Sequence, residues 1–189
     1  MRKLVALNHY LLIAVCLLSG ISPGKASAAR GLDINIDVIR LRNIAPGIEI
    51  NVGKTIAQKI IIKNRSAQAR RYSISFHKPS QLGAKWNKRR YREIPAKALL
   101  DDKGWFRISE VKRESEKSEI EYEIKAGMIE IPAGSEKEIS VYLKIPSKNK
   151  YYGRRFCAVM AVSEVPEEGK SGRIILAVYP RINIETKEK

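Results

Sequence analysis

Apolar and polar residues alternate along most of the chain, which is the pattern of β-strands with one buried face. The longest alternation runs from Ile139 to Ile145, where the odd-numbered residues are apolar and the even-numbered residues are polar or amphipathic. Shorter stretches of similar pattern predict strands over Leu32 to Val38, Ile48 to Val52, Lys54 to Lys63, Tyr72 to His77, Trp105 to Ile108, Ile120 to Ile124 and Met128 to Ile131.

The first of these strands changes phase along its length. Up to Val38 the even-numbered residues are apolar, whereas Ile39 and Leu41 carry the apolar side chains that follow. Successive side chains of a strand point to opposite faces, so a shift of one residue moves the apolar set to the other side. The shift predicts either a β-bulge or a strand that passes from one sheet to another.

The alternation lapses between Lys78 and Gly104. Pro79, Gly83 and Pro95 interrupt this polar stretch, and only Ile94 to Leu100 has the pattern of one or two helical turns. Connections of this length in a compact domain tend to be functional or disordered. We therefore treat residues 78–104 as one long insertion.

Two segments near the C-terminal end are apolar on both faces. Phe156 to Val162 and Ile174 to Tyr179 show no alternation, and the turn Glu167 to Gly172 joins them. In a domain of two layers only one face of a strand packs on the core, so the second apolar face of each segment must be covered by another part of the chain or by a partner. Either the insertion or a curled sheet covers it, or a strand is offered to a partner or a second copy. We expect Phe156 to Val162 to be central and buried, which leaves Ile174 to Tyr179 in question.

The element pattern predicts an all-β fold. Short strands separated by Gly, Pro, Asn and Ser turns, with little helix, indicate an antiparallel β-sandwich of about eight strands. Neither an internal repeat nor a linker interrupts the pattern. We expect one domain over residues 29–189 that carries the insertion.

Residues 1–28 have the form of a secretory signal peptide. Arg2-Lys3 precede an apolar run from Leu11 to Leu18, and Ala26-Ser27-Ala28 supplies small residues for cleavage. The run is shorter than the about 20 residues of a transmembrane helix, and the residues before Cys16 do not form a lipoprotein signal. We expect cleavage after Ala28, no transmembrane segment afterwards, and a periplasmic or extracellular (cell-surface) location.

The chain is strongly basic, with 36 Lys and Arg against 20 Asp and Glu and a formal net charge of +16 at pH 7. Loss of the leader removes three basic residues and no acidic ones, which leaves a net charge of about +13. For an exported protein the matching partners are anionic envelope polymers, lipids or an acidic protein. Export disfavours nucleic acid as the partner.

The densest basic segment lies in the insertion. Cations interleaved with aromatic rings can contact a polyanion or a layer of lipid headgroups. The alternative is a solvated loop whose tryptophan pins it to the sandwich. Both interpretations concern the same residues, which are Lys85, Trp86, Lys88, Arg89, Arg90, Tyr91 and Arg92.

Catalytic and metal-binding patterns are weak. After the leader, Cys157 is the only cysteine and His77 the only histidine, so the mature chain offers neither an internal disulfide nor a His/Cys metal set. Gly-rich phosphate loops and Gly-x-Ser-x-Gly elbows do not occur in the sequence. We expect a non-enzymatic protein without cofactor or metal, in which Cys157 is a small buried apolar residue.

Four strand and turn motifs occur along the chain, namely Ile60-Ile61-Ile62-Lys63-Asn64-Arg65-Ser66, Ile131-Pro132-Ala133-Gly134-Ser135, Leu143-Lys144-Ile145-Pro146 and Tyr152-Gly153. They resemble motifs of immunoglobulin-like exported domains of bacteria, and the resemblance implies an immunoglobulin-like antiparallel β-sandwich. Over about Ile48 to Ile184 the chain is similar to the N-terminal domain of PapD-like pilus-assembly chaperones and to the cell-wall-associated domain of WxL-interacting surface proteins. Motifs of this kind indicate a fold more than an activity.

The resemblance to the chaperones implies a use for the C-terminal strand. In that family a strand with alternating apolar residues is lent to an incomplete pilin subunit, and the matching residues are Ile174, Leu176 and Val178, with Arg173 as a candidate carboxylate-binding residue. The implied partner is another exported protein, pilin-like or a surface subunit. The alternative is an adhesion module that binds anionic envelope polymers through the basic insertion, and a homo-oligomer is a further option.

Overall fold

Two β-sheets pack face to face in the computed structural model, which describes residues 31–99, 104–115, 118–123, 127–166 and 176–189. The first sheet has the order β1 (Leu32–Ile34), β4 (Ile60–Asn64), β10 (Glu136–Lys144), β7 (Phe106–Ser115) and β8 (Ser118–Glu123), with β3 (Glu49–Asn51) also paired to β10. The second has the order β2 (Val38–Ile44), β13 (Arg181–Thr186), β11 (Arg155–Glu164), β5 (Arg70–His77) and β9 (Met128–Ile131), with β6 (Arg92–Glu93) and β12 (Ala177–Val178) paired to β11.

This arrangement confirms the predicted immunoglobulin-like sandwich. Most neighbouring strands are antiparallel, but β2 runs parallel to β13 and β6 runs parallel to β11. The described residues form more strands than the about eight expected, because several segments of two to four residues pair locally without an extended alternating pattern.

Helical structure in the described residues is confined to single turns. They are α1 (Val52–Thr55) and the 3-10 helices Pro79–Leu82, Ala96–Leu99 and Asn149–Tyr151. The helical turn predicted near Ile94 to Leu100 is thus confirmed at Ala96–Leu99. Within the residues described, no helix has the length and apolar character needed to cross a membrane.

The strands predicted on either side of α1 were too long. The side chain of Asn51 accepts a hydrogen bond from the amide of Lys54 at 3.1 Å, which caps α1 and ends β3. Ile48 precedes β3 and is exposed. The apolar residue Ile56 therefore follows a helical turn instead of lying on a strand.

The phase change in the first strand reflects a change of sheet. Leu32 and Ile34 are buried from β1, which pairs with β4 in the first sheet. Ile39 and Leu41 are buried from β2, which pairs with β13 in the second sheet. The chain thus contributes its first strand to both layers, and the prediction of a strand that changes sheets is confirmed.

The hydrophobic core lies between the two sheets, and β11 is buried along nearly its whole length. All residues from Phe156 to Val162 are buried, which confirms that this strand is central. Alternate residues of β11 join the apolar cluster between the sheets, and Phe156 meets the ring of Trp105 edge-to-face at 5.3 Å.

Candidate functional site

β12 and β13 follow one another as a single long last strand beside β11. Val178 pairs with Val162 and Arg181 pairs with Val159 in the same register. Residues 176–179 of the segment predicted over Ile174 to Tyr179 therefore begin a strand that continues to Thr186. Of the residues implied in partner binding, Leu176 and Val178 lie in this segment, whereas Arg173 and Ile174 fall outside the described residues.

The two halves of this last strand have different neighbours. β13 is enclosed between β11 and β2, so its edges are both occupied. β12 pairs with β11, and no other described strand pairs with it. The reason is the change of sheet in the first strand, because β2 begins at Val38, opposite Arg181. Before Arg181 no described strand pairs with the outer edge of the last strand, although β1 lies close to β12.

The hydrogen bonds to β11 show which backbone groups point toward the open side. The amide of Glu164 donates to the carbonyl of Leu176 at 2.9 Å. Hydrogen-bonded and non-hydrogen-bonded pairs alternate in an antiparallel ladder, so Ala177 and Tyr179 direct their N–H and C=O groups away from β11. Arg181 shows the same direction, because its amide donates to a carbonyl of the turn before β2. The open edge is thus the outward side of Ala177 and Tyr179.

The side chains of this segment point to opposite faces of the second sheet. Leu176 and Val178 are half-buried and pack against the core between the sheets. A Cβ added at Gly31 would lie 3.0 Å from Cδ1 of Leu176, so the chain just before β1 contacts this side chain. Tyr179 points outward and is 49% exposed. The open edge is therefore flanked by an apolar, partly covered surface.

The insertion covers the outer face of β11, so one of the two explanations for its apolar second face is supported. The 3-10 helix Pro79–Leu82 contacts β11, and the outward side chain of Arg181 donates a hydrogen bond to the carbonyl of Lys85 at 2.9 Å. β6 keeps the insertion beside the sheet because it pairs with the edge of β11 at Phe156 and Cys157. Cys157 and Val159, which point away from the intersheet core, are completely buried. Covering of this strand therefore requires no partner.

The basic segment of the insertion is anchored to β13. Within its turn, the side-chain oxygen of Asn87 accepts hydrogen bonds from the amides of Arg89 at 3.1 Å and Arg90 at 3.0 Å. The Arg90 guanidinium and the Tyr91 hydroxyl both donate to Oε1 of Glu185, at 2.8 and 2.7 Å. One carboxylate on the sheet thus holds two neighbouring side chains of the loop.

The groups around Glu185 favour the charged form of its carboxyl group. The hydrogen bond from Tyr91 and the charge-assisted hydrogen bond from Arg90 lower the pKa of the Glu185 carboxyl group against the opposing effect of burial. The Arg155 guanidinium, 3.9 Å from Oε2, acts in the same direction. The carboxylate therefore stays charged below the pH at which an ordinary glutamate becomes protonated.

The predicted anionic-contact residues divide into anchors and exposed cations. Arg90 and Tyr91 bind Glu185, and the indole of Trp86 is half-buried with its Nε1 hidden from solvent. This arrangement favours the interpretation of a loop pinned by aromatic side chains. Besides Arg90, four cations of the segment are exposed, namely Lys85, Lys88, Arg89 and Arg92, and the Lys88 ammonium lies 4.8 Å from the centroid of the Trp86 ring.

Cys157 has no features of a nucleophile. It is completely buried, and burial raises the pKa of its thiol to about 11. The Nε2 atom of His77 lies 2.8 Å from Oγ of Ser75, its own neighbour on β5. Cys157 is therefore a small buried apolar residue, as the sequence predicts.

Other chemical sites are sparse in the part of the chain that the structure describes. No cluster of His, Cys, Asp and Glu within it has the arrangement of a metal site. A shallow cavity of about 330 Å³ lies beside α1 on the first sheet, where Asn51, Lys59, Glu138 and Ser140 contribute polar walls. Lys59 and Glu138 bind one another across it at 2.6 Å.

A buried cluster of polar groups at the end of β4 was not predicted from the sequence. The side chain of Asn64 is 1% exposed, and its Nδ2 lies within 3.0 Å of three backbone carbonyls, among them that of Ile131. Its Oδ1 accepts hydrogen bonds from Ser66 and from the hydroxyl of Tyr72. The apolar strand ending in Asn-x-Ser was visible in the sequence, but its role as a junction was not.

Comparisons with solved structures return PapD-like domains at low sequence identity. The match to a PapD-like domain of human CEP192 covers 89% of this chain and 94% of that domain, with 10% sequence identity and a TM-score of 0.47. The periplasmic chaperone SfaE covers 82% of this chain with 6% identity and a TM-score of 0.45, and the class 5 fimbriae chaperone CfaA covers 83% with 11% identity and a TM-score of 0.40. The matches span 58% and 57% of those two chaperones. No protein-family model and no curated protein matches the sequence.

Proposed function

We propose that the protein is a non-enzymatic, chaperone-like module that binds an extended segment of another exported protein by strand addition at the open edge of β12. The observation that carries this proposal is the asymmetry of the last strand. Its second half is paired on both edges, whereas Ala177 and Tyr179 direct backbone groups to a side on which no described strand pairs. An extended peptide there would continue the second sheet.

The neighbouring side chains favour an apolar, alternating partner sequence. A peptide beside β12 would place alternate residues toward the core side, where Leu176 and Val178 are only half-buried. Its other residues would face outward, next to Tyr179. Main-chain hydrogen bonds would supply affinity, and the fit against the half-buried apolar residues would supply selectivity.

A substitution at one position separates backbone pairing from side-chain packing. The N–H of Ala177 points away from β11, so Ala177→Pro removes a donor for an added strand without removing a hydrogen bond of the existing ladder. Ala177→Val is the matched control, because it keeps the donor and favours a strand.

The experiment is selection of short peptides from a random display library on the mature protein, followed by affinity measurements. We expect selected peptides to alternate apolar and polar residues, to bind Ala177→Val like the wild type, and to bind Ala177→Pro about tenfold more weakly, the effect of about one lost hydrogen bond. Equal binding by the proline variant would contradict the proposal, as would the failure of any alternating peptide to be enriched.

A further inference from the structure

A second surface, which the proposed strand addition does not use, lies on the outer face of the second sheet. β2 buries Ile39 and Leu41 and leaves Arg40 and Arg42 exposed on the opposite side. The neighbouring strand β13 places the polar, half-buried Asn183 opposite Arg40. We call the outer surface of β2 and β13 the polar floor. Arg40 and Arg42 lie along its β2 side.

The basic segment of the insertion stands at the other side of this floor. Arg90 is held by Glu185, and the carbonyl of Lys85 accepts a hydrogen bond from Arg181 at 2.9 Å, so both attachments are to outward side chains of β13. This places the exposed Lys85 and Arg89 above the same strand that the β2 arginines flank. The outer basic face, as we define it, consists of Arg40, Arg42, Lys85 and Arg89.

Several cations on or beside the first sheet pair with carboxylates of neighbouring strands, and on the second sheet Arg70 pairs with Glu164 at 3.4 Å. The four residues of the outer basic face form no ion pair with any residue that the structure describes, and Glu185, the acid in their midst, is already bound by Arg90 and Arg155. The pairs on or beside the first sheet are Lys59–Glu138, Lys63–Glu136, Arg65–Asp33, Arg107–Glu49 and Lys137–Glu110, at 2.6 to 3.2 Å.

We propose that the outer basic face binds a linear phosphate-bearing polyanion, a ligand beyond the partner in the proposed function. Arg40 and Arg42 are two residues apart on one strand, roughly 7 Å along its axis, and can each bind phosphate oxygens through a planar guanidinium. Arg89 and Lys85 approach from the insertion. A tetrahedral phosphate offers oxygens in several directions, so one chain can contact cations on both sides of the floor.

The surroundings of this face favour a polymer over a lipid bilayer. Binding to a bilayer is strengthened by apolar side chains that enter the headgroup boundary. The exposed large apolar residues of the described chain are Ile48, Met128 and Tyr179, and none of them lies between these cations. Ile48 lies in the turn before β3, Met128 on β9, and Tyr179 in the open half of the last strand.

The test uses long-chain inorganic polyphosphate as the probe and compares two double variants with equal loss of charge. Arg40→Gln/Arg42→Gln removes two exposed cations of the face, and Lys59→Gln/Lys63→Gln removes two ion-paired cations of the first sheet. We expect the first variant to bind about tenfold more weakly and to reduce the slope of log affinity against log salt by about 1 to 2. The second variant should change affinity less than about twofold.

Three outcomes would overturn the proposal. Equal losses in the two double variants would show that net charge alone attracts the probe. Equal affinity for poly-glutamate of matched length would remove the preference for phosphate. Tighter binding per phosphate to vesicles of phosphatidylglycerol than to polyphosphate would assign the face to a membrane. Thermal unfolding of each variant establishes that it is folded before these measurements are compared.

Discussion

The side chain of Asn64 connects several separate segments of the chain. It is buried and reaches the carbonyls of Gln68, Ile131 and Pro132, while its oxygen serves Ser66 and Tyr72. Asn64→Ala would leave several of these buried groups without a partner. We expect a loss of about 3 kcal/mol in the free energy of unfolding, measured by urea denaturation.

An exposed asparagine with comparable hydrogen bonds provides the control. Asn35 donates to the carbonyl of Lys59 and accepts from the amide of Ile61, both at 2.8 Å, at an exposed position. Water can replace its partners, so Asn35→Ala should cost about 1 kcal/mol or less. Losses of equal size in the two variants would show that burial of Asn64 is not what makes its hydrogen bonds valuable.

Glu185 predicts a pH dependence of stability. Because Tyr91 and Arg90 lower its pKa in the folded state, the unfolded chain binds the proton more readily. The resulting stabilisation is complete above the ordinary glutamate pKa of 4.5 and is lost as the pH falls through the lower folded value. Wild type should therefore lose its stability advantage over Glu185→Gln below about pH 4.5, measured by denaturation across pH. A constant difference between the two proteins would contradict this assignment.

At the level of elements, the insertion is held to the sheet by few side chains. Arg90→Ala removes one of the two hydrogen bonds to Glu185, which should raise the population of the detached loop about 2- to 5-fold. Limited digestion with proteinase K should cleave within residues 84–92 faster by a similar factor. Arg89→Ala, next in the chain and exposed, is the control that should digest like the wild type. Equal rates for the two variants would argue against the anchor.

The sequence and the structure agree best where one face of a strand is buried. The phase shift after Val38 predicted either a β-bulge or a change of sheet, because a one-residue shift exchanges buried and exposed faces, and the structure shows the change of sheet. It did not predict that, among the described strands, none pairs with the outer edge of Ala177 and Tyr179, since that depends on where two distant strands begin. α1 escaped prediction for a related reason: Asn51 caps it through a local hydrogen bond that leaves no periodic signal.

At the scale of the whole molecule, the net charge of a sequence does not indicate where its charged side chains lie in the fold. The sequence counts 36 basic residues without indicating which of them meet a carboxylate. In the folded chain, strand pairing brings Lys63 opposite Glu136 on the first sheet, whereas Arg40 lies opposite the uncharged Asn183 on the second. Strand pairing thus gives Lys63 a carboxylate partner and gives Arg40 none at the opposite position. The open edge and the outer basic face both belong to the second sheet but consist of different residues. The two proposed ligands can therefore be tested with separate variants of one folded protein.

The most direct test of the open edge is amide hydrogen exchange of a protein comprising residues 29–189, measured residue by residue by NMR. The N–H groups of Ala177 and Tyr179 point away from β11, whereas that of Val178 faces it. We predict that Ala177 and Tyr179 exchange at least about tenfold faster than Val178, and that a bound alternating peptide protects these two amides. Protection of Ala177 and Tyr179 equal to that of Val178 in the free monomer would mean that another part of the chain already occupies this edge, and would contradict strand addition there.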